Sequence, residues 1–450
     1  MKKLLSIALT LCLILSSFAL FAAAQSQAYT AVTSTATPTA TASLNWAVNF
    51  GGSVYTSPTP PVVTDDAVIV LSMNTLYKLS LETGEVIDSV EVSGSSGFNQ
   101  VPVLVEEGKI FVQMSGGVIQ AFDYDTMKSL WIYTDPLGGQ ALTPITYSDG
   151  YIYTGFWNGE TAAANFVCVS TADEKTSSTN ESKTAVWTYK NTGGFYASGA
   201  VVVENFVYFG SDNGSNTSTD SSKLICVNKL TGEVMDTVTL TGDLRSSAVY
   251  DSGRIYLTSK AGYVYSIKIN LTTGNMADSW TYNYSYKTSG ESTSTPIIYN
   301  DRLYVGAQDG TAGEFLVLES DDLSLIYKGA MQGNPQGAML LSNYYEASTG
   351  KVYIYATYNN TPSGITMFED SANQTTAIST EIYTPTDSYS QYGISSIAAD
   401  ADGNLYYKND SGYIFCLESS NSSTNIFTYL INLINEFFSK ILSFFTLGIL

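Results

Sequence analysis

Oxygen-donating side chains that could bind calcium are gathered in one loop, residues 211–220, with the sequence SDNGSNTSTD. Asp212, Asn213, Asn216 and Asp220 provide the carboxylate and amide oxygens that this hard cation prefers. Their spacing does not match the D-x-[DN]-x-[DN]-G pattern of an EF-hand calcium loop. The sequence therefore favours a solvated insertion at this position over a metal site.

The groups that most hydrolases and metalloenzymes use are absent or isolated. The 450 residues include no histidine, which removes the commonest general base and every Ser-His-Asp or Cys-His arrangement. Cys168, Cys226 and Cys416 are the only cysteines beyond the first 24 residues, and they have no CxxC spacing. They predict neither a disulfide framework nor a zinc site. Catalysis is therefore disfavoured.

The first 24 residues contain two lysines, a long apolar run and three alanines before Gln25. This pattern predicts a signal peptide over residues 1–24 and export of the protein. The apolar run is also long enough, at roughly 20 residues, for an uncleaved membrane anchor. Residues 25–43 are rich in Thr, Ser and Ala and are predicted to form a flexible spacer. The formal net charge of −21 disfavours nucleic acid as a partner.

A pattern of short strands recurs eight times in the rest of the chain. The second strand of each repeat reads like I-Y-x-G, the third like L-Y-A-L-D, a polar turn often reads TGE, and the fourth strand often carries Trp. The second strands are AVIVL (67–71), KIFVQ (109–113), YIYTG (151–155), FVYFG (206–210), RIYLT (254–258), RLYVG (302–306), KVYIY (351–355) and NLYYK (404–408). Four short strands at a period of about 45 residues are typical of a propeller blade.

The eighth repeat ends at Glu418 without a fourth strand of its own. LNWAVNF, residues 44–50, supplies that strand, with Trp46 in the slot that Trp131, Trp187 and Trp280 occupy in other repeats. The sequence thus predicts an all-β fold over residues 44–420: an eight-bladed β-propeller of four-stranded blades, closed by an N-terminal strand. Because the tryptophans recur at one slot, they are predicted to pack between blades.

These repeats resemble the quinoprotein-type, or PQQ-like, β-propeller family, and the architecture is similar to that of the propeller subunit of the outer-membrane β-barrel assembly machinery. Quinoprotein dehydrogenases in this family bind pyrroloquinoline quinone (PQQ) and calcium on the propeller axis, commonly beside an adjacent Cys-Cys pair, which this chain lacks. The resemblance and the missing catalytic groups favour an exported, non-catalytic protein-binding or scaffold module without a cofactor. The alternatives are a PQQ-dependent dehydrogenase and a carbohydrate-binding surface module.

A set of aromatic residues is predicted to lie in loops on one face of the propeller, outside the repeat slots. Loops of this kind are normally polar, so a cluster of large rings predicts a site for a protein or glycan partner. The alternative is that each ring packs on its own blade. The set comprises Trp157, Phe195, Tyr196, Tyr284, Tyr286, Tyr389 and Tyr392.

The last 30 residues, 421–450, change abruptly to a helical period with a narrow polar stripe. They predict a hydrophobic amphipathic helix that contacts a membrane, a partner or the propeller itself. The side chains predicted to contact lipid are Phe437, Phe438, Ile441, Phe444 and Phe445.

Overall fold

Alternating β-branched and aromatic residues form four short antiparallel strands in each repeat, because such residues pack well on a half-buried pleated surface. The computed structural model describes residues 25–29, 31–53, 56–95, 97, 100–277 and 282–419. In this part of the chain eight sheets of four or five strands correspond to the eight repeats. The predicted eight-bladed propeller is confirmed.

The first four blades contain these strands. Blade 1 consists of β4 (Val62–Val63), β5 (Val68–Ser72), β6 (Thr75–Leu79) and β7 (Val86–Glu91). Blade 2 consists of β8 (Leu104–Glu106), β9 (Lys109–Met114), β10 (Val118–Asp123) and β11 (Ser129–Thr134), with β15 (Glu181–Lys183) added in parallel outside β11. Blade 3 consists of β12 (Thr146–Ser148), β13 (Tyr151–Gly155), β14 (Ala163–Ser170) and β16 (Trp187–Thr192). Blade 4 consists of β17 (Val201–Val203), β18 (Phe206–Gly210), β19 (Ser221–Asn228) and β20 (Val234–Thr241).

The other four blades follow the same order. Blade 5 consists of β21 (Val249–Asp251), β22 (Arg254–Thr258), β23 (Tyr263–Lys268) and β24 (Tyr284–Lys287). Blade 6 consists of β25 (Ile297–Tyr299), β26 (Arg302–Asp309), β27 (Ala312–Glu319) and β28 (Leu325–Met331). Blade 7 consists of β29 (Leu340–Ser342), β30 (Lys351–Thr357), β31 (Ile365–Ser371) and β32 (Ile378–Tyr383). Blade 8 consists of β33 (Ala398–Ala399), β34 (Leu405–Lys408), β35 (Tyr413–Glu418) and the N-terminal β3 (Ser43–Asn49). Two short helices, α1 (Glu346–Thr349) and a 3-10 turn (Asp387–Tyr389), lie in loops.

The strand directions divide the loops between two faces. The loops from second to third strands and the connections between blades lie on one face, called here the upper face. The turns from first to second strands and from third to fourth strands lie on the opposite, lower face. The first strands surround the axis, and those of blades 3 and 4, of blades 4 and 5, and of blades 8 and 1 contact one another.

The ring closes as the sequence predicts. Strand β3 pairs antiparallel with β35, from Ser43 opposite Glu418 to Asn49 opposite Tyr413. It is the outermost strand of blade 8. Blade 8 therefore has four strands, and its third strand, β35, is not left as an unpaired edge.

The recurrent tryptophan and the TGE turn are two halves of one contact between blades. Trp46 of blade 8 donates its indole N–H to the Leu81 carbonyl of blade 1 at 2.9 Å. Gly84 of that turn has φ +71° and lies so close to the ring that a Cβ would be 2.6 Å from Trp46 Cε3. Trp187 makes the same contact with Gly232 of the next blade. The predicted inter-blade packing is confirmed for these residues and for buried Trp131, whereas Trp280 lies outside the described residues.

The predicted flexible spacer over residues 25–43 is wrong. Strand β1 (Gln25–Gln27) pairs antiparallel with β17 on its axial side, and β2 (Val32–Thr33) pairs parallel with β29 of blade 7. Residues 25–29 and 31–37, called here the channel segment, thus enter the central channel from the lower face and return to it. The backbone of the inner strands binds this segment, although its side chains are too small and polar to predict a core.

Hydrogen bonds hold the channel segment at its lower side and at its tip. On the lower side, the buried Tyr355 hydroxyl contacts Thr37 Oγ1 at 2.8 Å and donates to the Pro38 carbonyl at 2.8 Å. At the tip, Tyr29 hydrogen-bonds with Ser396 of the connection between blades 7 and 8. Burial raises the pKa of Tyr29. The segment is therefore part of the folded ring.

The predicted signal peptide, residues 1–24, and the predicted C-terminal helix, residues 421–450 with Phe437, Phe438, Ile441, Phe444 and Phe445, lie outside the described residues. Within the described ranges no helix has the length and apolar character needed to cross a bilayer.

Candidate functional site

Three carboxylates from separate loops meet on the upper face near the axis. Glu160 follows the second strand of blade 3, Asp212 follows that of blade 4, and Asp243 lies in the connection between blades 4 and 5. One oxygen of each lies within 4.8 Å of the others. Arg245, two residues after Asp243, reaches into the middle of the group. These four residues are called here the axial site.

Arg245 binds all three carboxylates. Its Nη2 lies 2.6 Å from Asp212 Oδ2, 2.5 Å from Glu160 Oε2 and 3.3 Å from Asp243 Oδ2. Its Nε donates to both oxygens of Asp212, at 3.2 and 3.1 Å. A fork of donors in this geometry suits planar carboxylates and fixes the three loops relative to one another.

The axial site carries excess negative charge, and two of its three carboxylates are buried. The side chains of Asp212 and Asp243 are 1% and 0% exposed. Burial raises the pKa of Asp212 to about 7 against the attraction of Arg245. Burial likewise raises the pKa of Asp243 to about 6, although the Asn213 backbone N–H donates to it. With one guanidinium for three carboxylates, the site favours protons or an added cation near neutral pH.

Two of the predicted aromatic residues flank this site. The Trp157 indole N–H donates to Asp212 Oδ2 at 3.2 Å. The Tyr196 ring meets Trp157 edge to face at 5.4 Å, and the Arg245 guanidinium lies 4.6 Å from the Tyr196 ring centroid. Indole, phenol and guanidinium thus form one group of contacting side chains beside the buried carboxylates.

A cavity of about 130 Å³ adjoins the axial site. Its lining includes Tyr29, Gln100, Tyr196, Arg245, Lys260 and Gln336. Both side-chain amide atoms of Gln100, which lines the cavity, are buried without a hydrogen-bond partner among the described residues. Because buried polar atoms are normally paired, such atoms indicate a place where water or a ligand group can bind.

The remaining predicted aromatic residues do not join this site. Phe195 is fully buried and packs against Phe166 and Phe209. Tyr284 and Tyr286 lie in β24, the fourth strand of blade 5, and pack on its hydrophobic core, so their predicted loop position is wrong.

The last two residues of the predicted set lie together on the upper face beside blade 8. Tyr389 packs edge to face on Tyr413. Tyr392 is 51% exposed and lines an open pocket of about 540 Å³ together with Asn359 and Asp410. The predicted aromatic residues therefore do not form one cluster. Some flank the axial site, Tyr392 is exposed at this pocket, and the others pack against the blades.

Sequence reasoning missed Glu160, Asp243 and Arg245, and it treated Asp212 as part of a solvated loop, whereas Asp212 is 2% exposed. A usable signal was present: acidic residues follow corresponding strands in neighbouring blades, in GFWNGE and SDNG, and GDLR begins the next connection. Equivalent loops of adjacent blades converge at the axis.

The comparison with protein families decides the membership of the chain. The family model described as "Outer membrane protein assembly factor BamB" matches residues 32–220 and 167–425. The chain belongs to this family. No curated protein matches the chain.

Solved structures with the same architecture include members of this family and enzymes. BamB from Moraxella catarrhalis is 10% identical with a TM-score of 0.52, covering 84% of this chain and 99% of that one. The quinohemoprotein alcohol dehydrogenase from Comamonas testosteroni is 11% identical with a TM-score of 0.54, covering 83% and 76%. The computationally designed Ika8 protein is 12% identical with a TM-score of 0.55, covering 82% and 98%. At these identities the likeness establishes the fold alone.

The axial site can be compared with what PQQ and calcium would need. Its carboxylates are suitable calcium ligands, but Arg245 already lies between them at hydrogen-bond distances. The adjoining cavity of about 130 Å³ is smaller than the roughly 300 Å³ of small-ligand pockets. In this arrangement the axial site does not fit calcium together with a three-ring quinone.

Proposed function

We propose that this chain is an exported, non-catalytic propeller that binds a protein partner through its upper face, as a scaffold at the cell surface or envelope. The observation that carries the proposal is the convergence of acidic and aromatic groups at the axial site beside a cavity lined by the unpaired Gln100 amide, with exposed Tyr392 on the same face. Its excess of carboxylate favours a partner segment that presents Lys or Arg. Family membership supports a protein partner in general.

A matched pair of tyrosines tests this proposal. Tyr392 on the upper face and Tyr344 on the lower face are both 51% exposed. Tyr392→Ala, and separately Glu160→Gln, should reduce recovery of cross-linked envelope proteins by full-length protein, whereas Tyr344→Ala should not. Equal recovery by all variants would contradict an upper-face site.

The same purified protein distinguishes two alternative functions, an enzyme and a carbohydrate-binding module. A PQQ-dependent dehydrogenase is favoured by the likeness to quinohemoprotein alcohol dehydrogenases; addition of PQQ and calcium should then give a cofactor absorbance and a thermal shift. A carbohydrate-binding module would instead show glycan binding that Tyr392→Ala weakens. The arrangement of Arg245 supports the non-catalytic proposal over the enzyme.

Export by the signal peptide and membrane contact through Phe437, Phe438, Ile441, Phe444 and Phe445 belong to the same proposal. The wide apolar face of residues 425–450 supports membrane contact. Flotation of the full-length protein with liposomes, compared with a chain ending at Ser423, measures it.

A further inference from the structure

Exposed hydrophobic side chains are distributed unequally between the two faces. Of the thirteen large hydrophobic residues exposed in the described part of the chain, only Met73, Leu137 and Tyr392 lie on the upper face. Eight aliphatic residues lie at or beside the lower ends of the fourth strands in six different blades, and form what is called here the aliphatic rim. They are Val86, Ile87, Val186, Leu230, Val234, Leu271, Leu325 and Ile378.

Both ends of the described chain leave the propeller on the lower face. Gln25 pairs with Val203 at the lower end of β17. Glu418 pairs with Ser43 at the lower end of β35. In the sequence, the apolar stretch 425–450 begins seven residues after Glu418, so it is joined to the propeller at the face that carries the aliphatic rim.

We propose that the aliphatic rim is a membrane-contacting surface that holds the lower face against a lipid bilayer and presents the upper face away from it. The rim is spread around the ring in one narrow zone, which suits a planar surface better than a groove for one peptide. Burial of aliphatic side chains at the headgroup boundary provides the attraction. The proposal extends the membrane contact proposed for residues 425–450 to folded residues of the propeller.

The charges beside the rim specify the lipid. Glu82 and Glu85 precede Val86, Glu233 precedes Val234, and Asp321 and Asp322 precede Leu325, all with exposed side chains. Carboxylates in these positions are repelled by anionic headgroups within about a Debye length. The rim therefore suits zwitterionic lipids, and anionic lipid should weaken its binding.

Flotation of the full-length protein with phosphatidylcholine vesicles tests the proposal. The rim variant Val86→Thr, Ile87→Thr, Val234→Thr and Ile378→Thr keeps β-branched residues in the strands and should lower partitioning at least about fivefold, since each lost methyl reduces burial. The control Leu137→Thr with Tyr392→Thr on the upper face should bind like the unmodified protein. Addition of phosphatidylglycerol should reduce binding further.

A fluorescence measurement reports the orientation directly. Leu325 and Leu137 are similarly exposed, at 44% and 40%, and Cys168, Cys226 and Cys416 are buried. An environment-sensitive dye on Leu325→Cys should shift to the blue when vesicles are added, and the same dye on Leu137→Cys should not.

Three results would overturn the proposal. One is equal vesicle binding by the rim variant and the unmodified protein. Another is a dye at position 325 that is already blue-shifted without vesicles and loses this shift when the chain ends at Ser419. That result would mean that residues 420–450 cover the rim in the full-length protein. The third is a shift at position 137 alone. Partner recovery by Tyr392→Ala and Tyr344→Ala is measured separately, so failure on vesicles leaves the test of partner binding intact.

Discussion

The upper face collects carboxylates beneath aromatic rings at the axis, whereas the lower face exposes aliphatic side chains around its rim. Position relative to the axis explains the difference. The loops that carry Glu160, Asp212 and Asp243 lie near the axis, where the ring brings residues from neighbouring blades together. The residues of the aliphatic rim lie at the outermost strands, so closure of the ring does not gather them into one site.

The acidic residues of the two faces also differ in their electrostatics. Burial raises the pKa of Asp212 and Asp243 on the upper face. On the lower face, hydrogen bonds from Tyr124, Tyr147 and Lys229 lower the pKa values of Asp66, Glu107 and Asp149 respectively. Ionisation of Asp212 and Asp243 therefore destabilises the folded state. Ionisation of Asp66, Glu107 and Asp149 stabilises it.

The largest expected effect comes from opening the ring on which both faces depend. Trp46→Ala removes a side chain that is 8% exposed and wedged against Gly84, and should cost about 3–5 kcal/mol. Deletion of residues 44–50 should destabilise both faces together. Urea unfolding measures the loss, and an unchanged melting temperature for a chain starting at Thr56 would contradict closure by β3.

Replacing one cationic side chain on each face compares how much an ion pair contributes to stability on the two faces. Arg245→Met leaves buried carboxylates without their partner and should cost about 3–5 kcal/mol. Lys229→Met removes a 2.9 Å ion pair with Asp149, which is 71% exposed, and should cost under about 1 kcal/mol. Similar losses for the two variants, measured by denaturant unfolding, would show that the axial site is as solvated as the lower turns.

A comparable effect is expected on the pH dependence of stability. Because Asp212 and Asp243 bind protons more tightly in the folded state, their contribution is greatest below about pH 4 and is lost as the pH rises through about 6 and 7. The lower-face carboxylates lose their contribution only at acidic pH. Between pH 5 and 8 the free energy of unfolding should fall by on the order of 4 kcal/mol from this source, and Asp243→Asn should flatten the slope. A slope that Asp243→Asn leaves unchanged would contradict this assignment.

The smallest effect compares the two exposed tyrosines. Tyr392→Ala and Tyr344→Ala should each change stability by less than about 1 kcal/mol, as exposed positions usually do. Thermal unfolding of both variants verifies that their difference in partner binding is not caused by loss of fold. A large destabilisation by Tyr392→Ala alone would mean that this ring packs within the fold.

The repeat, the number of blades and the closing strand could all be predicted from the sequence. Alternation of apolar and polar residues is a local signal, and the eighth repeat visibly lacks the strand that LNWAVNF provides. The recurring Trp position likewise predicted the contact between Trp46 and the next blade. The same position in each repeat faces the same part of the neighbouring repeat.

The channel segment and the axial site were decided only by the tertiary structure. The channel segment is held largely through backbone hydrogen bonds to β17 and β29, which side-chain composition does not encode. Glu160, Asp212 and Asp243 are widely separated in sequence, and only closure of the ring brings their oxygens within 4.8 Å and removes water from Asp212 and Asp243. Local pattern thus determined the blades, while the meeting of loops at the axis, and the burial that shifts the pKa values there, depended on the assembled ring.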